Sequence, residues 1–254
     1  MRWYAVAALW WFALLFTAGN VPGLAGVAGA FQSSFYRAGL IGLWLASAGV
    51  AVVYHVIPRL AGREAFAPTR LTLLGFWSLA FTWALTAPAN LTYSSAPDWV
   101  ETLGVLFSIG LLIPPAVIVT DLVLALRRRW AAVSGSTPLR FIVLGGALFA
   151  FWPVANLILA LRASSGVLQY TDWIRGLEIV AFYGVVSSWL AAFVYLATPD
   201  LTGRSTHPRL ERLHHAGTRL GLLVWAGASF LGGLTAGWTW VASANEAAVP
   251  AAGA

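Results

Sequence analysis

Seven apolar runs dominate this chain, at about 3–20, 38–57, 71–88, 99–126, 140–161, 175–197 and 217–241. Each is close to the roughly 20 residues that cross the hydrocarbon of a bilayer. No other feature constrains the fold as much. Hydrocarbon offers no water to bond the backbone, so such runs cross the membrane as helices that satisfy themselves. The expectation is an all-α, polytopic membrane bundle in one domain, with no soluble module, long linker or internal repeat. The charge content agrees: 9% of residues are charged and 59% are hydrophobic, against about 25% charged in soluble domains.

The arginines orient the bundle. All 15 basic residues are arginine. Arg2, Arg59, Arg63, Arg70, Arg127, Arg128, Arg129, Arg140, Arg204, Arg209, Arg212 and Arg219 fall on one set of alternating loops. Only Arg37, Arg162 and Arg175 fall on the other. The positive-inside rule then places the N-terminus in the cytoplasm and the C-terminus outside, in the cell's inner (plasma) membrane. The sequence pI of about 10.3 is read as cytoplasmic loops, not as nucleic-acid binding. Cysteine is absent, which removes disulfides and thiolate metal sites. Arg2, an apolar run and Ala28-Gly29-Ala30 have the outline of a signal peptide. About ten residues separate the run from that site, too many for a typical signal, so a retained helix is expected. The Ala-rich segment 244–254 is expected to be a disordered tail.

Two stretches carry a more specific pattern. Residues 78–115 contain Pro88, Leu91 and Tyr93, then Pro97-Asp98-Trp99, Thr102-Leu103-Gly104 and Phe107-Ser108-Ile109. Further on, Gln169-Tyr170-Thr171-Asp172-Trp173 precedes Gly176. The second run ends Tyr54-His55-Val56-Ile57-Pro58-Arg59. In this order the residues resemble the catalytic subunit (subunit I) of the haem–copper oxygen reductases, most closely the C-type (cbb-type) cytochrome oxidases. The resemblance covers roughly 35–241 and corresponds to about helices five to eleven of a twelve-helix subunit. It implies that the family's first four helices have no counterpart here.

The same resemblance identifies what is missing. The family's copper-ligating histidines fall on Ala38, Ala89 and Asn90, and its two haem-ligating histidines on Leu177 and Ile179. Thr92 stands at a further histidine of the first motif, and Trp83 where the C-type enzymes carry an active-site tyrosine. An aliphatic side chain has no lone pair to give a metal, and a single amide is a poor ligand for copper or iron. The expectation is therefore no haem, no copper and no catalytic residue at these sites, and no oxygen reduction by this chain alone.

The remaining polar residues have bland readings. His55, His207, His214 and His215 fall at or near the cytoplasmic surface, far from the family's metal sites. His214 and His215 point about 100° apart on a helix and would not chelate together. Asp121 reads as a carboxylate snorkelling toward the arginines of 127–129; the alternative is a proton-path acid. Glu178 reads as an ordinary acid in a first helical turn. Asn156, after Pro153, is the best mid-membrane polar residue. Gly39, Gly42, Ala46 and Gly49 recur on one helical face and suggest a partner helix. The 14 tryptophans could fill part of a vacated haem volume.

Three functions remain open. The first is a redox-inactive structural or assembly subunit of a respiratory, cytochrome oxidase-like complex. Its partners would be other membrane subunits, cytochrome c-type subunits among them, and lipid. The second is an electron-transfer subunit whose cofactors are held with other chains. The third is a small membrane transporter or sensor that reuses the bundle.

Overall fold

The computed structural model describes residues 2–62 and 70–248, with side chains to Ser243. Arg63 and the end of the tail, 249–254, lie outside the described residues. Seven long helices follow one another: α1 (Arg2–Gly19), α2 (Gly26–Leu60), α3 (Arg70–Leu91), α4 (Asp98–Leu126), α5 (Thr137–Ala160), α6 (Asp172–Thr202) and α7 (Pro208–Ala248). Short helices at Trp130–Gly135 and Arg162–Leu168 lie in the connections on either side of α5. Among the described residues there is no β-strand.

Local chemistry sets the helix ends. The Ser136 side chain accepts a hydrogen bond from the Leu139 N–H at the start of α5, and that of Thr171 from the Trp173 N–H at the start of α6. Each satisfies one donor that a helix N-terminus leaves free. Gly203, at φ 67°, follows α6 in the left-handed region that glycine adopts without strain. In α4 the Pro114-Pro115 pair interrupts the helical hydrogen bonding after Leu112.

Helices α2 to α7 are long and apolar enough to cross a membrane, so the chain is a multi-pass membrane protein. The expected first span, α1, is not among these six. Arg2, Tyr4 and three tryptophans within its 18 residues dilute its aliphatic content. It nevertheless lies antiparallel along α2. Tyr4 meets Tyr54 with ring centroids 5.4 Å apart, and Leu15 sits over Gly39.

Two helices begin earlier than the apolar pattern suggests: α2 at Gly26 and α7 at Pro208. The early part of α2 is rich in glycine and polar residues (Gly26, Gly29, Gln32, Ser33, Ser34) and that of α7 in charged ones (Arg209, Glu211, Arg212), which hides both from hydropathy. Gln32 and Ser34 tie the early part of α2 down by donating to the carbonyls of Ala18 and Ala87, at 2.8 and 2.7 Å. At the other end of the chain, 244–248 continue α7 as helix, where disorder was expected.

The small-residue face of α2 turns inward, which corrects its reading as a partner surface. A methyl group on Gly39 would lie 2.3 Å from Leu15, one on Gly42 2.0 Å from Trp83, and one on Gly49 2.3 Å from Trp189. Ala46 is 4% exposed. Small residues let neighbours approach closely in a membrane bundle, and here the neighbours are the chain's own Leu15, Trp83 and Trp189.

Asp121 is also corrected. It is 4% exposed and does not snorkel. Its Oδ2 accepts hydrogen bonds from the hydroxyls of Tyr54 (3.0 Å) and Thr72 (2.9 Å), while the Tyr4 hydroxyl donates to the Thr72 carbonyl at 3.2 Å. One knot thereby joins α1, α2, α3 and α4 near one end of the bundle.

Candidate functional site

A cavity of about 360 Å³ opens at the other end of the bundle. Four segments wall it. From α2 come Ser33, Ser34, Arg37, Ala38 and Ile41; from α3, Trp83, Thr86, Ala89 and Asn90. From α5 come Trp152, Asn156, Leu159 and Ala160. The last wall is Gln169, Tyr170, Ile174, Leu177 and Glu178, at and before the start of α6.

The sequence positions singled out as lost metal ligands meet here. Ala38, Ala89, Asn90 and Leu177 line the same cavity, and so does Trp83. Ile179 does not line it: two residues further along the helix, it is 2% exposed and belongs to the apolar core. A separation of two residues turns a helical side chain by about 200°, so Leu177 and Ile179 serve opposite faces of α6. Thr92 is buried and donates to the Ala89 carbonyl at 2.8 Å, closing the turn after the motif.

The backbone around these positions departs from the regular α-helix. Leu40–Leu45 in α2 and Ile179–Val186 in α6 are π-helical, and Ala84–Leu91 in α3 is a 3-10 segment. All three adjoin or contain lost-ligand positions. π-turns in membrane and soluble helices gather at functional sites, because the extra residue re-aims the side chains.

Aromatic rings fill the space beside the cavity. Trp83 stacks on Trp152 with centroids 5.2 Å apart and planes 25° apart, and lies 6.3 Å from Phe149. Phe149 in turn lies 5.3 Å from Trp189. The Trp152 indole N–H donates to the Leu177 carbonyl at 3.0 Å, and that of Trp189 to the Ile142 carbonyl at 3.2 Å. Buried indoles need such acceptors. The tryptophan count hinted at this filling, but nothing in the sequence selects these rings.

Charge is balanced at the cavity mouth. Arg37 forms an ion pair and hydrogen bond with Glu178. Sequence reading missed this pairing, although Arg37 is one of only three arginines assigned to that end. Asn90 donates to the Ser34 hydroxyl at 3.4 Å, and Gln169 donates to the Asn90 carbonyl at 3.3 Å. Tyr93, in the left-handed region at φ 67°, donates to the Arg162 carbonyl at 3.3 Å.

The histidines are elsewhere. His55 is 17 residues along α2 from Ala38, about 25 Å at 1.5 Å per residue. His214 shares a 2.7 Å hydrogen bond with Tyr195, and His215 packs edge-on against Phe141 at the same far end. His207 accepts from the Arg209 N–H at the start of α7. Among the described residues no three His, Asp or Glu side chains gather as a metal site. The side chains at the singled-out positions on the cavity (two alanines, one amide and a leucine) do not fit copper or a haem iron.

A family model described as cytochrome c and quinol oxidase polypeptide I matches residues 1–252. The chain is 26% identical over 217 residues to a cytochrome c oxidase subunit 1 homolog of Agrobacterium tumefaciens (strain T37), covering 85% of this chain and 40% of that protein. It is 25% identical over 228 residues to cytochrome c oxidase subunit 1 of Rhodobacter capsulatus, covering 89% and 43%. It is 24% identical over 224 residues to the cbb3-type cytochrome c oxidase subunit CcoN1 of Stutzerimonas stutzeri, covering 85% and 46%. The chain thus spans less than half the length of these curated relatives.

Proposed function

This chain belongs to the cytochrome c and quinol oxidase polypeptide I family, and on that premise we propose that it is a redox-inactive subunit with a structural or assembly role in a respiratory, cytochrome oxidase-like membrane complex. One observation carries this reading. Four of the five lost-ligand positions surround one cavity, in or two residues from irregular helix segments, yet their side chains are Ala38, Ala89, Asn90 and Leu177. The fifth is Ile179, packed in the core. The frame serves packing and assembly, and the electron chemistry belongs to other chains.

The partners in this reading are other membrane subunits, cytochrome c-type subunits among them, together with lipid. The membrane is the cell's inner membrane, with the N-terminus in the cytoplasm and the C-terminus outside. The arginine distribution supports that orientation.

The experiment has two arms. The chain purified alone is examined by reduced-minus-oxidised spectroscopy and by mass spectrometry for iron and copper; neither metal is expected near stoichiometry. The chain purified in mild detergent from its native membrane is expected to bring defined membrane subunits with it. A haem Soret band with near-stoichiometric iron in the isolated chain would overturn the redox-inactive reading. Recovery of the native chain with no other subunit would overturn the assembly reading.

A further inference from the structure

The cavity is chemically specific in ways that its history does not explain. Its only acid and only arginine, Glu178 and Arg37, neutralise one another at the mouth. A charged ligand entering it would give up hydration for no counter-charge, which is costly. Its inner end is aromatic, lined by Trp83 and Trp152, which stack on one another.

A polar group also stands inside. Asn156 is half-buried, lines the cavity, and has no hydrogen-bond partner among the described residues. Facing the cavity, its two donors and one acceptor are open to a ligand. At the mouth, Asn90 and Gln169 add further amides. The volume, about 360 Å³, is more than twice the roughly 150 Å³ that holds benzene, which leaves room for one ring with substituents.

We propose that this cavity is a binding site for a neutral, single-ring aromatic molecule carrying a hydrogen-bonding oxygen, of the phenol type. The ring packs beside the Trp83–Trp152 stack and its oxygen bonds the Asn156 amide. Binding requires no metal and does not depend on the chain's place in a larger complex. The ligand reaches the cavity either from the bilayer, carrying an alkyl tail, or from water, without one.

The test uses the full chain in detergent micelles and fluorine NMR of 4-fluorophenol, with protein-free micelles as the reference. Saturable line broadening is expected with the native chain. Asn156→Leu, which keeps the branched shape and removes the amide, is expected to weaken binding about tenfold, the loss of one good hydrogen bond. Ala38→Leu, which adds three carbons to the cavity wall, is expected to weaken it as well. Leu231→Ala, on the exposed face of α7, is expected to leave it unchanged. The charged analogues 4-fluorobenzoate and 4-fluorobenzylammonium are expected to behave as in empty micelles. Competition by 4-octylphenol against 4-methylphenol reads the source. Stronger displacement by the tailed compound indicates the bilayer, and equal displacement indicates water. The proposal is overturned if 4-fluorophenol behaves as in empty micelles, if the charged analogues bind equally well, or if folded Asn156→Leu and Ala38→Leu variants both bind like the native chain. Circular dichroism and gel filtration establish that the variants are folded.

Discussion

Trp83 stacks on Trp152 across the bundle, ring centroids 5.2 Å apart, and it reaches that position by lying directly on Gly42, where a methyl group would come within 2.0 Å of the indole. Any side chain at residue 42 must move a fully buried tryptophan or the helix beneath it.

Gly42→Leu should therefore destabilise the isolated chain, by about 1–3 kcal/mol or more, as overpacking a filled core does. Fluorescence-detected gel filtration after a heating series measures it. A partner-facing glycine would leave the isolated chain's melting unchanged and would only release co-purifying subunits.

Asp121→Ala should leave the hydroxyls of Tyr54 and Thr72 without the acceptor they share. An unmet buried donor costs about 1–3 kcal/mol, so the melting temperature in detergent should fall by several degrees. Asp121→Asn retains a carbonyl acceptor and should cost less. Equal melting of both variants and the native chain would show that the knot contributes nothing.

Glu178→Gln should do much less. Arg37 and Glu178 have side chains 57% and 38% exposed, and a solvated pair contributes about 0–1 kcal/mol. The expected melting shift is within a degree or two. A large loss would mean that the pair is far less solvated in the bilayer than its exposure indicates.

A reporter that works only outside the cytoplasm should be active when fused after Ala254 and inactive when fused in the loop at Gly203. The reverse pattern would overturn the orientation read from the arginines. Activity at both sites would mean that the last helix does not cross.

Much of this was written in residue types. Apolar runs of bilayer length leave the backbone few ways to satisfy itself, so the helical class and the multi-pass character were legible. That Ala38, Ala89, Leu177 and Ile179 cannot ligate a metal was equally legible, because donating a lone pair is a property of the side chain in any fold. The ordered motifs around Pro88 and Gly176 located those positions.

Direction was what a one-dimensional pattern could not supply. Gly39, Gly42, Ala46 and Gly49 form the same stripe whether they meet another chain or Leu15, Trp83 and Trp189 of their own. Asp121 sits one helical stretch from three arginines, yet its acceptors' fate was decided by Tyr54 and Thr72, 67 and 49 residues away. Arg37 meets Glu178 across 141 residues. Each outcome depends on which helix lies beside which and at what rotation. That is a collective result of packing the whole bundle, and the tertiary structure alone decides it.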